Sequence, residues 1–317
     1  MSNPTTPESN AEKQDESSDS SSAFTIENIN DIQRIDITAP LKVTGDPSGR
    51  FQPTGFPNLG PALYKGADGR TYLYVESVPS MANRMEQICW QTSATDTVGG
   101  YNAESQGIPY VRSDWTQNRQ SVATASPLEA HRIASPYIWT TAFAEAFKHA
   151  LGIDEGELIN WPWVAQLLLY VDPGCLLHGL WISSNDGNKK ILGGRIRITR
   201  SLEGYILAKD PNPVVVGVTK TDHIDTGGGD AGDSKGGLGN IISEKTYYTS
   251  PEIKTHFCIH ISRLRQLGIN EQQLSALVQW AVYKIDQLLY SNKPGSIADL
   301  RSECCFEVSE NPTITVK

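Results

Sequence analysis

The chain has 317 residues, 38% of them apolar and 20% charged, with a formal net charge of −9. That supplies apolar material for one large core or two small ones. It contains no run of about 18 apolar residues that would cross a bilayer and no basic start followed by an apolar stretch, so a cytoplasmic protein without a membrane partner is expected. A net-acidic chain is unsuited to indiscriminate polyanion binding, which needs clustered Lys and Arg, but it leaves room for one basic groove.

The charge is unevenly placed. Glu8, Glu12, Asp15, Glu16 and Asp19 oppose only Lys13, which puts −4 of the −9 in residues 1–23 and −5 in the rest. This Ser/Glu/Asp/Pro-rich tail has almost no large apolar side chain to offset the entropy of ordering, so it is expected to be disordered, with residues 24–317 as a single domain. Next, Ile35, Ile37, Leu41 and Val43 interleave with Arg34, Asp36 and Lys42, the period of a half-buried strand, with an interruption expected near Pro40. Arg50–Tyr64 reads as a Gly/Pro-punctuated loop, and strand character returns at Tyr72–Val75.

Pro79 suits the first turn of a helix whose apolar face is Met81, Met85, Ile88 and Cys89 and whose polar face is Ser80, Asn83, Arg84 and Gln87. A second helix is predicted over 137–151, with Gly152 as its C′ residue. A third begins at a capping box of Asn270 and Gln273 and carries an apolar stripe from Leu274 to Leu289, ended by Pro294 and Gly295. Strands are predicted at Cys175–Ile182, Gly194–Arg200, Val214–Thr219 and Ile253–Arg263. This interleaving gives an α+β class with a modest sheet and no internal repeat. The glycine-rich stretch 222–240 precludes a packed element and reads as a long mobile loop, inside an insertion over about 210–250.

Three groups of residues bear on chemistry. Asp222, Asp225, Asp230 and Asp233 fall in or beside the glycine-rich stretch, and paired carboxylates can hold Mg²⁺ for phosphodiester cleavage; the stretch lacks the GxxxxGK[ST] order of a triphosphate loop. His256, Cys258 and His260 share one strand face, but ligands about 7 Å apart along a strand converge poorly on one ion, which favours a polar sheet face that packs or meets a ligand. The third group is cationic and amide-bearing: Asn83 and Arg84, His131 and Arg132, and Arg195 with Arg197 on one strand face. Such residues beside aromatic rings can track a single-stranded phosphate backbone, while the alternative is ion pairing with the chain's many carboxylates. Five cysteines, an odd number without a CxxC pair, read as reduced thiols, and no cofactor is indicated.

Several segments, in this order, resemble the repeated backbone subunit of the type I-U (also called I-G) CRISPR Cascade complex: Arg50–Gly60, ESVPSMANRMEQ (Glu76–Gln87), LEAHRIASP (Leu128–Pro136), CLLHGLWIS (Cys175–Ser183), RIRITRSLEGY (Arg195–Tyr205), GGLGNI (Gly236–Ile241) and LRSECCFEV (Leu300–Val308). The resemblance implies an RRM-like (ferredoxin-like) core of the RAMP superfamily, with finger/palm and thumb insertions. It implies copies that self-associate into a helical filament along CRISPR RNA (crRNA) and present its bases to target DNA. Other Cascade subunits and a helicase-nuclease would be its partners in antiviral defence. On that reading the chain is not an enzyme, and Asn83, Arg84, His131, Arg132, Arg195 and Arg197 contact the RNA. The sequence departs from the family pattern at Arg200-Ser201-Leu202-Glu203 and at Asp233–Gly237. The competing class is a metal-dependent ribonuclease using the loop aspartates or the His256, Cys258 and His260 face, and a scaffold without nucleic acid is the third.

Overall fold

Alternation of apolar and polar residues after Arg34 produces β1 (Ile35–Val43), whose Ile35, Ile37, Ala39 and Leu41 are buried while the residues between them stay partly open. The computed structural model describes residues 29–56, 59–93, 96, 98–117, 120–152, 158–182, 196–220 and 241–317. The segment 1–23 and the glycine-rich stretch 222–240 therefore lie outside the described residues. Apart from a 3₁₀ turn at Ile29–Asp31, the described elements belong to the unit Ile32–Lys317.

After β1 come the short strands β2 (Gly55–Phe56), β3 (Gly60–Pro61) and β4 (Leu63–Lys65), then β5 (Thr71–Glu76) and helix α1 (Val78–Gln87). Two hairpins follow, β6 (Trp90–Gln91) with β7 (Gly100–Tyr101) and β8 (Arg112–Gln117) with β9 (Gln120–Ala125). Helices α2 (Pro136–Trp139), α3 (Ala142–Leu151), α4 (Trp161–Val171) and α5 (Gly174–His178) lead into the pair β10 (Leu180–Trp181) and β11 (Arg197–Ile198). Then come β12 (Leu202–Lys209), the long hairpin β13 (Asn212–Lys220) and β14 (Ile241–Thr249), and β15 (Glu252–Ile259). Helices α6 (Ile261–Gln266) and α7 (Glu271–Tyr290) and strands β16 (Phe306–Val308) and β17 (Thr313–Val316) complete the chain.

The main sheet is antiparallel in the order β16-β1-β15-β12-β5-β4, and β17 also pairs with β1. Strands β1, β12, β15 and β16, with α1 between the first two and α7 between the last two, make a β-α-β-β-α-β unit in the ferredoxin-like order, so the α+β class holds. The hairpin β13–β14 is inserted between β12 and β15 and occupies the described part of the 210–250 segment. No helix among the described residues is long and apolar enough to cross a membrane.

Helices α1 and α7 seal one face of the sheet. Met81 and Met85 of α1 and Leu274, Val278, Ala281, Ile285 and Leu288 of α7 are buried, as are Leu202, Ile206, Phe257 and Ile259 of the strands. Each fully buried side chain of this kind contributes about 1.5–3 kcal/mol. The capping box holds as expected, with the Asn270 side chain accepting from the Gln273 N–H at 2.9 Å and the Gln273 side chain accepting from the Asn270 N–H at 3.0 Å. Gly152 ends α3 at φ 61°, the left-handed C′ conformation.

Other expectations are corrected. Pro40 does not interrupt β1: the outer edge of β1 pairs with β17 at Ile35–Thr38 and with β16 at Leu41–Val43, so proline falls in the gap where its missing N–H costs no ladder bond. The helix predicted over 137–151 is two, divided at Thr140 and Thr141, whose hydroxyls bond the Pro136 carbonyl at 2.6 Å and accept from the Phe143 N–H at 3.3 Å. The first half of the strand predicted at Cys175–Ile182 is helix α5, because the Asp172 carboxylate accepts from the Gly174 N–H at 2.9 Å and Pro173 begins the turn. The strand predicted through Arg263 stops at Ile259, where Ile261 and Leu264 take up the helical spacing of α6. Helix α4 was not anticipated from the sequence, although Asn160 caps it by accepting from the Trp163 N–H at 3.2 Å and Pro162 sits in its first turn.

Glycine at position 204 sets how closely α1 approaches β12. A Cβ there would meet a Phe257 ring carbon at 2.8 Å and the Met81 Cγ at 2.9 Å. Gly204→Val is therefore expected to destabilise the fold by about 1–3 kcal/mol through overpacking. A thermal melt checks this, with a fall of several degrees as the expected result.

Candidate nucleic-acid interface

Two segments expected to supply cations, the α1 region and Leu128–Pro136, are brought together in the fold. The agent is a glutamate. Glu86, on the buried side of α1, is wholly inaccessible, and Arg132 beneath it is 4% exposed. The guanidinium donates from Nε to Glu86 Oε1 at 2.9 Å and from Nη2 to Glu86 Oε2 at 2.7 Å, a bidentate fork, while Nη1 donates to the Gly179 carbonyl at 3.4 Å. Arg132 adopts φ 53°, an unusual left-handed conformation for a residue with a side chain.

Burial pushes the Glu86 carboxyl upward, whereas for Arg132 burial's downward pull is outweighed by Glu86, which raises it. We take the pair as ionised, because two guanidinium nitrogens meet both carboxylate oxygens. Arg132 thus commits two of its guanidinium nitrogens to Glu86 inside the protein. Lys284 of α7 is also wholly buried. Its Nζ lies 3.0 Å from His178 Nε2 and 3.9 Å from the centre of the Trp280 ring. Burial, reinforced by Lys284, holds His178 well below the usual histidine range, and burial lowers Lys284 as well.

Arg84 has a similar but looser fate. Its Nε is 3.2 Å from Glu76 Oε1, within ion-pair distance but not aligned as a hydrogen bond. Glu76 also receives short contacts from the Ser80 hydroxyl and from Nη1 of Arg301, whose Nη2 donates to the Val75 carbonyl at 2.7 Å. Both glutamates of ESVPSMANRMEQ thereby neutralise arginines that the sequence offered as RNA contacts. Asn83 is half-buried beside Arg84, and His131 is exposed just before the turn Arg132–Ala134. Arg197 is exposed on β11 directly opposite Trp181, which is 66% exposed, so a cation and an indole share one hairpin face. Arg195 and the four aspartates at 222, 225, 230 and 233 lie outside the described residues.

His256 and Cys258 lie on the side of the sheet away from α1 and α7, while His260, expected on the same strand face, falls just past the end of β15 as the N-cap residue of α6. His256 Nδ1 is 3.2 Å from the Thr38 hydroxyl, and its ring stacks on Tyr205 at 5.1 Å and 23°. His260 Nε2 lies 3.2 Å from the Cys258 thiol and 3.6 Å from Glu203. Burial, aided by Asp36, pushes that thiol up to about 12, which keeps it protonated. The two imidazoles thus turn to different partners, and among the described residues no three His, Cys, Asp or Glu side chains converge as metal ligands would.

The same face carries Tyr64, Tyr72, Tyr74 and Tyr205, which sequence reading did not single out. Their rings meet in succession: Tyr64 to Tyr72 at 5.6 Å, Tyr64 to Tyr74 at 5.5 Å and Tyr74 to Tyr205 at 6.1 Å. The signal available was the two-residue spacing of Tyr72 and Tyr74, and of His256 and Cys258, which places each pair on one strand face.

A family model described as CRISPR-associated protein GSU0053 matches residues 35–213. No curated protein matches the chain. Among solved structures, a chain of a "CRISPR RNA-guided surveillance complex, pre-nicking" is similar at 8% identity, covering 86% of this chain and 75% of that one, with a TM-score of 0.38.

The buried pair yields a direct expectation. Arg132→Ala leaves Glu86 unpaired in the core and should cost about 3–5 kcal/mol, whereas replacing both partners, Arg132→Met with Glu86→Leu, should recover most of it. Chemical denaturation of the three proteins measures this. Equal losses in the single and double variants would contradict the ionised pair.

Proposed function

Because the chain belongs to the CRISPR-associated GSU0053 family, we propose that it is the noncatalytic backbone subunit of a Cascade-type effector complex of subtype I-U/I-G, gripping crRNA while the guide bases pair with target DNA. The observation that carries this reading is the reach of the family match. Residues 35–213 take in β1, α1, the Arg132 turn and the strands through β12, hence five of the segments in which the backbone-subunit resemblance was read.

The solvent-facing chemistry supports it. Arg197 beside Trp181 combines a phosphate-binding fork with a stacking surface, and His131 is free to reach solvent. Arg84 and Arg132 act one step removed, by fixing α1 against the sheet and against the turn that presents His131. In this reading the hairpin β13–β14 serves as a finger or thumb between neighbouring copies, and the copies polymerise along the RNA with other Cascade subunits and a helicase-nuclease. No catalytic group is assigned.

Co-expression with a CRISPR array is the test. The expected product is the chain bound to RNA of defined length, uncleaved in Mg²⁺ and released as salt rises. Arg197→Gln should flatten the slope of log K against log salt by about 0.7, the share of one single-strand phosphate contact. RNA-free monomer at low salt would contradict the reading.

A further inference from the structure

We propose that the two outer edges of the sheet join copies of this chain head to tail, Leu63–Lys65 of one copy pairing antiparallel with Ile314–Val316 of the next. This rests on the copy-to-copy assembly in the function proposed above and gives it a surface apart from the β13–β14 hairpin. Strand β4 ends the sheet on one side, and β17 lines the outside of β1 on the other. Among the described residues, no strand pairs with the outer side of either. A sheet edge presents unpaired N–H and C=O groups, a template for another strand.

The hydrogen-bond phase fixes which residues face outward. Arg34 and Lys317 exchange backbone bonds, the Arg34 N–H donating at 3.1 Å and the Lys317 N–H at 2.9 Å. Antiparallel alternation then turns Thr315 and Thr313 toward β1 and leaves the N–H and C=O of Ile314 and Val316 pointing away. At the other edge the Ala62 carbonyl accepts from the Tyr74 N–H at 3.1 Å and the Gly66 N–H donates to the Arg70 carbonyl at 2.9 Å, so Tyr64 turns inward and Leu63 and Lys65 turn outward. Each edge thus offers two outward residues at the same spacing. Setting Leu63 against Ile314 would bring Val316 to Pro61, which has no N–H and already pairs with Gly55 of β2. The open register sets Val316 opposite Leu63 and Ile314 opposite Lys65.

Direction and side chains match as well. Every pairing from β17 through β1, β15, β12 and β5 to β4 is antiparallel, so β17 and β4 run oppositely and meet antiparallel when two copies are oriented alike. Ile314 and Val316 stand opposite Ile37 and Ile35, and Leu63 opposite Leu73, so all three lie on the helix-covered side with buried partners. Yet they are 42%, 48% and 45% exposed, because the cover stops short of both edges. Pairing covers Val316 with Leu63 and Ile314 with the aliphatic stem of Lys65, the single charged residue in the two stretches. The contact joins unlike surfaces, so a joined pair keeps a free edge at each end and adds further copies. Three residues a side fall well short of the roughly 800 Å² per partner of a stable interface, so the pairing is weak alone and takes hold where copies are kept close.

The experiment is disulfide trapping in the full chain, alone and co-expressed with a CRISPR array, using Leu63→Cys, Val316→Cys and both changes in one chain. Both positions are exposed, so cysteine there leaves the core intact. Opposed residues that exchange hydrogen bonds lie about 5.5 Å apart at Cα, within disulfide reach. On non-reducing gels after mild oxidation, the double variant should give a ladder of dimers, trimers and higher multiples. An equal mixture of the two single variants should give dimers alone, and each single variant by itself should stay at the wild-type level. Adding Ile314→Pro to the double variant removes an outward N–H and no bond to β1, and should lower the yield of the ladder about fivefold, the effect of one backbone hydrogen bond. No ladder in the double variant, or as much dimer in one single variant as in the mixture, overturns head-to-tail pairing. If array RNA co-purifies and no ladder forms, only the edge pairing fails; if the ladder forms and no array RNA co-purifies, the function proposed above fails.

Discussion

One face of the antiparallel sheet is sealed by α1 and α7, and the pleat then dictates where every strand side chain goes. Along β15, Ile253, Thr255, Phe257 and Ile259 enter the core while Lys254, His256 and Cys258 face away from it. Along β12, Leu202, Ile206 and Ala208 go in, leaving Glu203, Tyr205 and Lys209 on the uncovered side. A slip of one residue in either strand would exchange the two faces. The close packing of Met81 and Phe257 over Gly204 holds the register on the sealed side, and the uncovered row of rings exists because of it.

The acidic composition acquires a structural meaning in the same frame. Glu76 of β5 and Glu86 of α1 are wholly buried, the first pairing with Arg84 and Arg301 and the second with Arg132, so part of the chain's basic complement works as internal framework. Arg197 and His131 stay on the solvent-facing side. In the function proposed above, affinity would come from repetition along a strand, where each copy adds a modest contact at high effective concentration, and not from a single strongly basic groove.

Periodicity made the amphipathic elements legible. The stripe on α7, the Met81/Met85 face of α1 and the alternation in β1 and β15 each bury one side, and each leaves a pattern in consecutive residues. Helices α4 and α5 leave none, since WPWVAQLLLYV and GCLLH are apolar nearly throughout and a short apolar run reads equally as strand or helix. The candidate site was harder still. Arg132 and Glu86 are 46 positions apart, so the sequence shows two ordinary surface-type residues where the fold makes one buried contact. The ring row draws on positions 64, 72, 74, 205 and 256, and only the strand order β4-β5-β12-β15 makes them neighbours.

Ultraviolet crosslinking of the assembled RNA-bound protein, read out by peptide mass spectrometry, tests most directly whether nucleic acid meets the β10–β11 pair. Nucleotide adducts are expected on peptides containing Trp181 or Arg197. Adducts confined to α7, on the sealed side of the sheet, would contradict that surface.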